Sequence, residues 1–327
     1  MTRDSGKPIV TVLTAPGDAE PPGLDALRAQ AEVRFASDEA TLNEALPGTR
    51  VMMVTDFRTE ALAAAWPKAD RLEWIHATSA GVDALMFPAL TDGPVKVTNA
   101  QGIFDRTIAE YVVCTILMFS KDFPNSIRLQ QNHQWKHRDT ERAQGKRVLI
   151  VGAGSIGRQI ARLTAAIGLK PHGIARAARE HDPDFEAVHG NDSLTEQLEL
   201  ADFVVVAAPL TAQTEGMFDR AAFQNMKPEA RFINIGRGPI VKTDDLVAAL
   251  KAGDIAGAGL DVFEEEPLRP DHPLWDMENV LITAHMSGDF IGWRQALTDQ
   301  FLDNFDRWQR GESLFNSVDK KLGYAAK

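Results

Sequence analysis

Three short segments in the last third of the chain carry side chains equipped for chemistry. "FINIGRGPIV" presents Arg237, "AGLDVFEEEPL" presents Asp261 and Glu266, and "VLITAHMSGD" presents His285. Arg237 precedes Glu266 by 29 residues, and Glu266 precedes His285 by 19. A guanidinium is permanently charged and fork-shaped, suited to gripping a carboxylate. An imidazole titrates near neutral pH and passes protons readily, and a carboxylate beside it favours the charged form. Taken singly, each residue has an ordinary role as well: a solvated cation, a solvated acidic face, a satisfied hydrogen-bonder. Their value lies in arriving together.

A second cluster is built from glycine. In "KRVLIVGAGSIGRQIARLTAAIG" an apolar strand runs into a glycine turn and then a helix, whose Ile156, Ile160, Leu163 and Ile167 are expected on one face. Gly152 permits the sharp turn, Gly154 lets a pyrophosphate approach the backbone, and Gly157 lets helix and strand pack closely. Ser155 and Ile156 open the helix, where exposed N–H groups and the positive dipole end hold phosphate charge. This flanking makes a bound dinucleotide the expectation. An NAD site would end its second strand in Asp or Glu to meet the adenosine ribose hydroxyls. Here "KPHGIARAARE" supplies Ala175, then Arg176 and Arg179. Without the carboxylate a 2′-phosphate is not repelled, and guanidinium groups can clamp it. NADP(H) is therefore the expected cofactor, with NAD(H) as the alternative. A rival reading takes Ser155, Asp261 and His285 as a hydrolase triad in chain order, but leaves Gly152, Gly154 and Arg176 without a task.

These residues need elements to place them. Apolar or β-branched runs recur between helical patterns: "PIVTVL", "RVMMVT", "LEWIHAT" and "VKVTN" early on, then "RVLIV", "FVVVAA", "ARFINI", "IAGAGLDV" and "VLITAH". Strands alternating with helices imply βαβ units and parallel sheets, hence an α/β fold. The three functional segments then fall at carboxyl ends of strands, where such sheets bind ligands. The composition changes after "NAQG" at 99–102, where a long apolar helix near 104–120 begins. The tail "WRQALTDQFLDNFDRWQRG" reads as an amphipathic helix, with Ala296, Phe301, Phe305 and Trp308 near helical spacing, and is expected to return to the first block.

Bulk properties narrow the partners. A length of 327 residues suits about two domains. The formal charge of −11 argues against nucleic acid or an anionic membrane. No stretch reaches the roughly 18 apolar residues of a membrane span, and no export signal opens the sequence, so a cytoplasmic location is expected. The single cysteine, Cys114, lies in an apolar run and reads as a buried thiol; no metal site is expected. His133 and His137 stand four apart, but without further ligands read as a solvated linker.

Across nearly its whole length the sequence resembles the D-isomer-specific 2-hydroxyacid dehydrogenases, the family that includes glyoxylate/hydroxypyruvate reductases. The resemblance is carried by "SAGVD" (79–83), "VTNAQGIFDRTIAEYV" (97–112), "VGAGSIG" (151–157), "APLTAQTEGMF" (208–218), "MKPEARFINIGRGPIV" (226–241), "AGLDVFEEEPL" (258–268), "HPLWDMENVLITAH" (272–285) and the ending "FNSVDKKLGY". It implies a hydride transfer between NADP(H) and a 2-oxoacid or D-2-hydroxyacid. Arg237 would be the catalytic arginine, and Glu266 with His285 the acid/base pair. Ala80 and Gly81 would grip the substrate carboxylate through backbone N–H groups, together with Arg237 and His285. Ile235, Asp261 and Gly288 would line the nicotinamide, and Pro209 and Thr214 the adenosine side. Asn99 and Glu110 match the motif too, either as site residues or as makers of buried structural hydrogen bonds.

The resemblance further implies two Rossmann-like or flavodoxin-like domains. The substrate domain would comprise 1–101 and 289–327, the inserted dinucleotide-binding domain 102–288, with the active site in a cleft that closes over the small-molecule substrate. A homodimer through the cofactor domain is implied, with the 104–120 helix and the arm 121–145, including Trp135, as candidate contacts. Met52, Met53, Phe57 and Phe290 are candidates for an apolar substrate wall. Two departures stand out: Ala284 stands where the family usually has proline before the histidine, and Asp105 and Arg106 occupy a stretch where many members carry Thr or a small residue. Glu266 is retained where relatives acting on formate carry glutamine, which disfavours that substrate. A non-catalytic NADP(H)-sensing protein of the same fold is the alternative; retention of Arg237, Glu266 and His285 together favours the enzyme.

Overall fold

The computed structural model describes residues 6–56 and 58–324. The chain divides into two compact units: one up to Ile103 and again from Phe290, the other contiguous from Phe104 to Asp289. No helix among the described residues is long and apolar enough to cross a membrane.

The first unit holds five parallel strands: β1 (Ile9–Leu13), β2 (Glu32–Ala36), β3 (Thr49–Val54), β4 (Trp74–Ala77) and β5 (Lys96–Thr98), in the order β2-β1-β3-β4-β5. Neither β2 nor its charged pattern EVRFA stands out among the apolar runs, because it is an edge strand with exposed Glu32. Met52 and Met53 lie on β3, buried to 0% and 1% exposure. They face opposite cores of the unit rather than lining a substrate wall, which corrects that expectation: adjacent residues of a strand point to opposite faces, and here both faces are covered. Phe57 lies outside the described residues, and Phe290 is partly exposed.

The tail helix Trp293–Arg310 packs in this unit. Its Phe301 and Phe305 are fully buried among Val10, Val12, Leu27, Val51 and Trp74, and the Phe301 ring stacks on Trp74 at 5.4 Å. Burying each phenyl ring stabilises the unit by roughly 1.5–3 kcal/mol. Leu297 and Thr298 complete the buried stripe, while Ala296 is at its edge.

The second unit holds seven parallel strands: β6 (Arg147–Val151), β7 (Lys170–Ala175), β8 (Ala187–Gly190), β9 (Phe203–Val206), β10 (Arg231–Asn234), β11 (Gly257–Leu260) and β12 (Val280–Ile282). Their order is β12-β11-β10-β9-β6-β7-β8. The chain therefore winds outward from β6 in one direction and from β9 in the other, and the crevice of such a sheet opens where the direction reverses, at the carboxyl ends of β6 and β9. Val148–Val151 and all of β9 are buried on both faces, as continuous apolar runs in a covered parallel sheet require.

Two helices of this unit correct details of the periodicity. The long helix is Asp105–Ser120, and it buries Ile108, Ala109, Val112, Thr115 and Ile116. That stripe leaves Cys114 on the outer face, so the thiol is exposed rather than buried. Glu110 is likewise exposed, paired with Arg106 at 2.6 Å instead of making a buried bond. In the helix Ser155–Ala166 the buried stripe is Gly157, Ile160, Ala161 and Thr164. Small residues occupy its centre because the helix lies close on the sheet, which moves Ile156 and Leu163 to the flanks and leaves Ile167 38% exposed past the helix end.

Candidate active site

The glycine turn follows β6 at the crevice. Gly152 has φ +111°, and a Cβ there would stand 2.6 Å from the backbone of Ala207. A Cβ on Gly157 would stand 2.0 Å from the carbonyl oxygen of Gly152, so only glycine allows the helix so near the turn. Gly154 is different: a Cβ there meets nothing within 4 Å, and the residue is exposed. Two glycines are thus needed by the chain itself, whereas nothing among the described residues requires the third. That pattern, with Ser155 and Ile156 starting the helix beyond, fits a pyrophosphate laid against a helix N-terminus.

The two arginines after β7 part company. Arg176 is exposed, with no hydrogen bond or ion pair among the described residues. Arg179 is engaged: Nη1 donates to Asp182 at 2.9 Å and Nη2 to the Ala153 carbonyl of the glycine turn at 3.2 Å. Asp182 also accepts both arms of Arg158 at 2.8 Å, and Asp184 accepts from Arg158 and Arg162. Burial would raise the Asp182 carboxyl, but the bonds from Arg179, the Asp184 N–H and Arg158 hold it below the usual range. Arg179 thus braces the turn. The acidic pair stands in "HDPD" (181–184), close after the arginines, and is the sequence signal for this brace.

Arg237, Asp261, Glu266 and His285 follow β10, β11 and β12, neighbours in the sheet. The His285 Nδ1 lies 2.8 Å from Glu266 Oε2, while Glu266 Oε1 accepts the Phe263 N–H at 2.9 Å. Burial pushes the Glu266 carboxyl up. The bonds from His285 and Phe263 and the nearby charges of His285 and Arg237 outweigh it and hold the group below its ordinary range. Arg237 sits in a turn pinned by Asn234, whose side chain donates to the Arg237 carbonyl at 3.2 Å and accepts the Gly236 N–H at 3.1 Å. Ile235 is buried, and its N–H bonds the Val206 carbonyl of β9 at 3.2 Å.

Asp261 is fully buried, and its carboxylate accepts from the Thr283 hydroxyl at 2.5 Å, the Met286 N–H at 2.9 Å and the Ser287 N–H at 3.0 Å. It holds the loop that carries His285, whereas the imidazole itself bonds to Glu266. The hydrolase reading needs Asp261 on the imidazole, so this geometry removes it. Gly288 closes that loop against Phe104, whose ring a Cβ would meet at 3.0 Å. Thr214 is buried and donates to the Pro209 carbonyl at 2.7 Å, shaping the loop after β9, while Pro209 is exposed.

In the first unit Ala80 and Gly81 follow β4. Asn99 donates to the Ala80 carbonyl at 2.6 Å and Ser79 to the Gly81 carbonyl at 2.6 Å, which fixes the loop. His133 and His137 are exposed on the irregular segment after the helix Phe123–Gln131, so the i, i+4 spacing has no helix to act on. Tyr111 and Thr283 were not singled out by sequence; their hydroxyls meet at 2.8 Å across 172 residues, which no local pattern announces.

Residues 113–287 match the family model described as D-isomer specific 2-hydroxyacid dehydrogenase, NAD binding domain. The glyoxylate reductase of Thermofilum pendens is 33% identical over 263 residues, covering 78% of this chain and 77% of that one. A D-isomer specific 2-hydroxyacid dehydrogenase from Xanthobacter autotrophicus Py2, solved with NADPH and MES, is 31% identical with a TM-score of 0.81, covering 96% and 99%. An NADPH-dependent glyoxylate/hydroxypyruvate reductase from Sinorhizobium meliloti, solved with NADP and sulfate, is 29% identical with a TM-score of 0.83, covering 98% and 100%.

Proposed function

The chain belongs to the D-isomer specific 2-hydroxyacid dehydrogenase family, and from that membership we propose that it reduces a small 2-oxoacid to the D-2-hydroxyacid with NADPH, His285 delivering the proton. The observation that carries the reading is the 2.8 Å contact between His285 Nδ1 and Glu266, with Arg237 close enough to influence the same carboxylate. Gly152, Gly154, Ser155, Ile156 and Gly157 would hold the pyrophosphate, and Arg176 the 2′-phosphate. Arg179 contributes by fixing the turn. When bound, the reduced nicotinamide supplies the hydride for the carbonyl carbon. Arg237 grips the substrate carboxylate and draws electron density toward the carbonyl oxygen. With Nδ1 facing Glu266, Nε2 is the nitrogen from which His285 protonates that oxygen as it becomes an alkoxide. The imidazole is left neutral, and oxidation of the hydroxyacid runs the same path backward. A small substrate is favoured by relatives named glyoxylate and hydroxypyruvate reductases.

The cofactor choice is supported by Ala175 and the unengaged Arg176, and by relatives solved with NADPH or NADP. A homodimer through the second unit accords with the exposed Phe123, Ile127 and Trp135, at 53%, 43% and 101% exposure. The test is loss of NADPH absorbance with glyoxylate, hydroxypyruvate and phenylpyruvate. His285→Gln is expected to lower kcat by roughly 10²- to 10⁴-fold while leaving dinucleotide binding in place. No turnover with any 2-oxoacid would overturn the reading in favour of a protein that senses NADP(H).

A further inference from the structure

A half-buried chain of hydroxyl groups in the second unit ends on Asp261, which holds the backbone from His285 to Ser287. It starts at Tyr111, on the inner side of the helix Asp105–Ser120, whose hydroxyl lies 2.8 Å from Thr283 Oγ1. The single hydroxyl hydrogen of Thr283 goes to Asp261 Oδ1 at 2.5 Å, so Tyr111 is the donor in the first contact. Burial raises the Tyr111 phenol above its ordinary range, which keeps that donor hydrogen in place. Asp261 then accepts the Met286 and Ser287 N–H groups, and its own carbonyl accepts the His285 N–H at 2.8 Å.

The backbone explains why these bonds converge. His285 has φ +49°, in the left-handed region that a residue with a Cβ disfavors. A left-handed residue turns the following N–H groups to the same side and makes a concavity for an anion. In this loop the anion is the Asp261 carboxylate. The strained conformation and the carboxylate hold each other, and among the described residues the only other group on the two oxygens is the Thr283 hydroxyl, with Tyr111 behind it.

We propose that Tyr111 and Thr283 are positioning residues which, acting through Asp261, hold His285 in the left-handed conformation from which its ring meets Glu266. The consequence for turnover rests on the reading of His285 as proton donor. Neither residue touches substrate; each acts on where the imidazole stands. A small misplacement of a catalytic group costs much of its effect, because reaction depends on a near-attack geometry.

The test compares Tyr111→Phe, Thr283→Val, Thr283→Ser and His285→Gln in the full-length protein, using NADPH with glyoxylate and hydroxypyruvate. Thr283→Val is expected to lower kcat about tenfold or more, Tyr111→Phe by less, both with the KM for NADPH held within about twofold. Thr283→Ser, which keeps the hydroxyl, restores most of kcat. Amide hydrogen exchange across residues 283–288 is expected to quicken in the Phe and Val variants and not in the Ser variant, a readout that does not depend on turnover. Unchanged exchange in that segment overturns the proposal. So does an unchanged kcat in Tyr111→Phe and Thr283→Val while His285→Gln abolishes activity, or a loss that Thr283→Ser fails to reverse. If His285→Gln keeps full turnover, the proton-donor reading fails instead, and the exchange measurement still decides whether the relay holds the loop.

Discussion

Arg176 and Arg179 stand three residues apart with the same side chain, yet only one is available to a ligand, because Asp182 and the Ala153 carbonyl have taken the other. Replacing Arg176 by Ala is therefore expected to raise the KM for NADPH by about tenfold or more, the worth of a charge-assisted bond, with little change for NADH. Equal changes for both cofactors, measured in parallel initial-rate series, would refute the phosphate clamp. The candidate residues themselves were legible, since Arg237, Glu266 and His285 stand in motifs whose order and separation are distinctive. Their partners were not. The bond from Tyr111 to Thr283 spans 172 residues, and whether an arginine faces solvent or an aspartate depends on how a loop folds back, which side-chain types do not encode. Asp261 illustrates the difference: its motif pointed to the nicotinamide and gave no sign that its carboxylate also holds the backbone and hydroxyl of the His285 loop.

The glycine-turn helix makes the clearest prediction among the elements, because its three glycines serve different masters. Gly157→Ala places a methyl 2.0 Å from a backbone oxygen that cannot move without unseating β6, so the thermal midpoint falls and dinucleotide binding is lost with it. Overpacking of this kind costs about 1–3 kcal/mol or more. Gly154→Ala meets nothing in the chain, so the protein keeps its thermal midpoint while the KM for the dinucleotide rises. A Gly154→Ala protein that binds the dinucleotide as tightly as before would show that the pyrophosphate lies elsewhere; calorimetry and titration together decide it. Central strands were legible because β6 and β9 are buried on both faces and must be apolar throughout. The edge strands β2 and β8 were not, because an edge is half exposed and tolerates Glu32, Arg34 and His189, which blur the signal.

For the molecule as a whole, acid is the condition to which the buried histidines make it sensitive. His76 on β4 is fully buried near Trp74 and Phe301, and burial pushes its imidazole down to about 3. Burial and the neighbouring Arg147 charge push His172 on β7 down to about 4. In the unfolded chain such groups titrate near 6.5, so below that pH the unfolded state binds the extra proton and the folded state does not. Stability is unaffected by His76 above about pH 6.5 and is lost as pH falls from there toward 3, by up to about 1.4 kcal/mol per pH unit. Urea unfolding at pH 7, 6 and 5 measures the slope, and His76→Gln is expected to flatten it; an unchanged slope would mean the ring gains protons without unfolding. The α/β class and the amphipathic tail helix with its Phe301 and Phe305 could be read from apolar periodicity, but that these rings close the core of the first unit against Trp74 could not, since that depends on which strands lie opposite them. That closure has a consequence for biosynthesis. A nascent polypeptide leaving the ribosome gains Phe301 and Phe305 only after the whole stretch from Phe104 to Asp289 has been made. Assembly is thus ordered by the direction of synthesis: the second unit can mature early, while the first, whose strands are made before it, must wait for the helix Trp293–Arg310 to be translated.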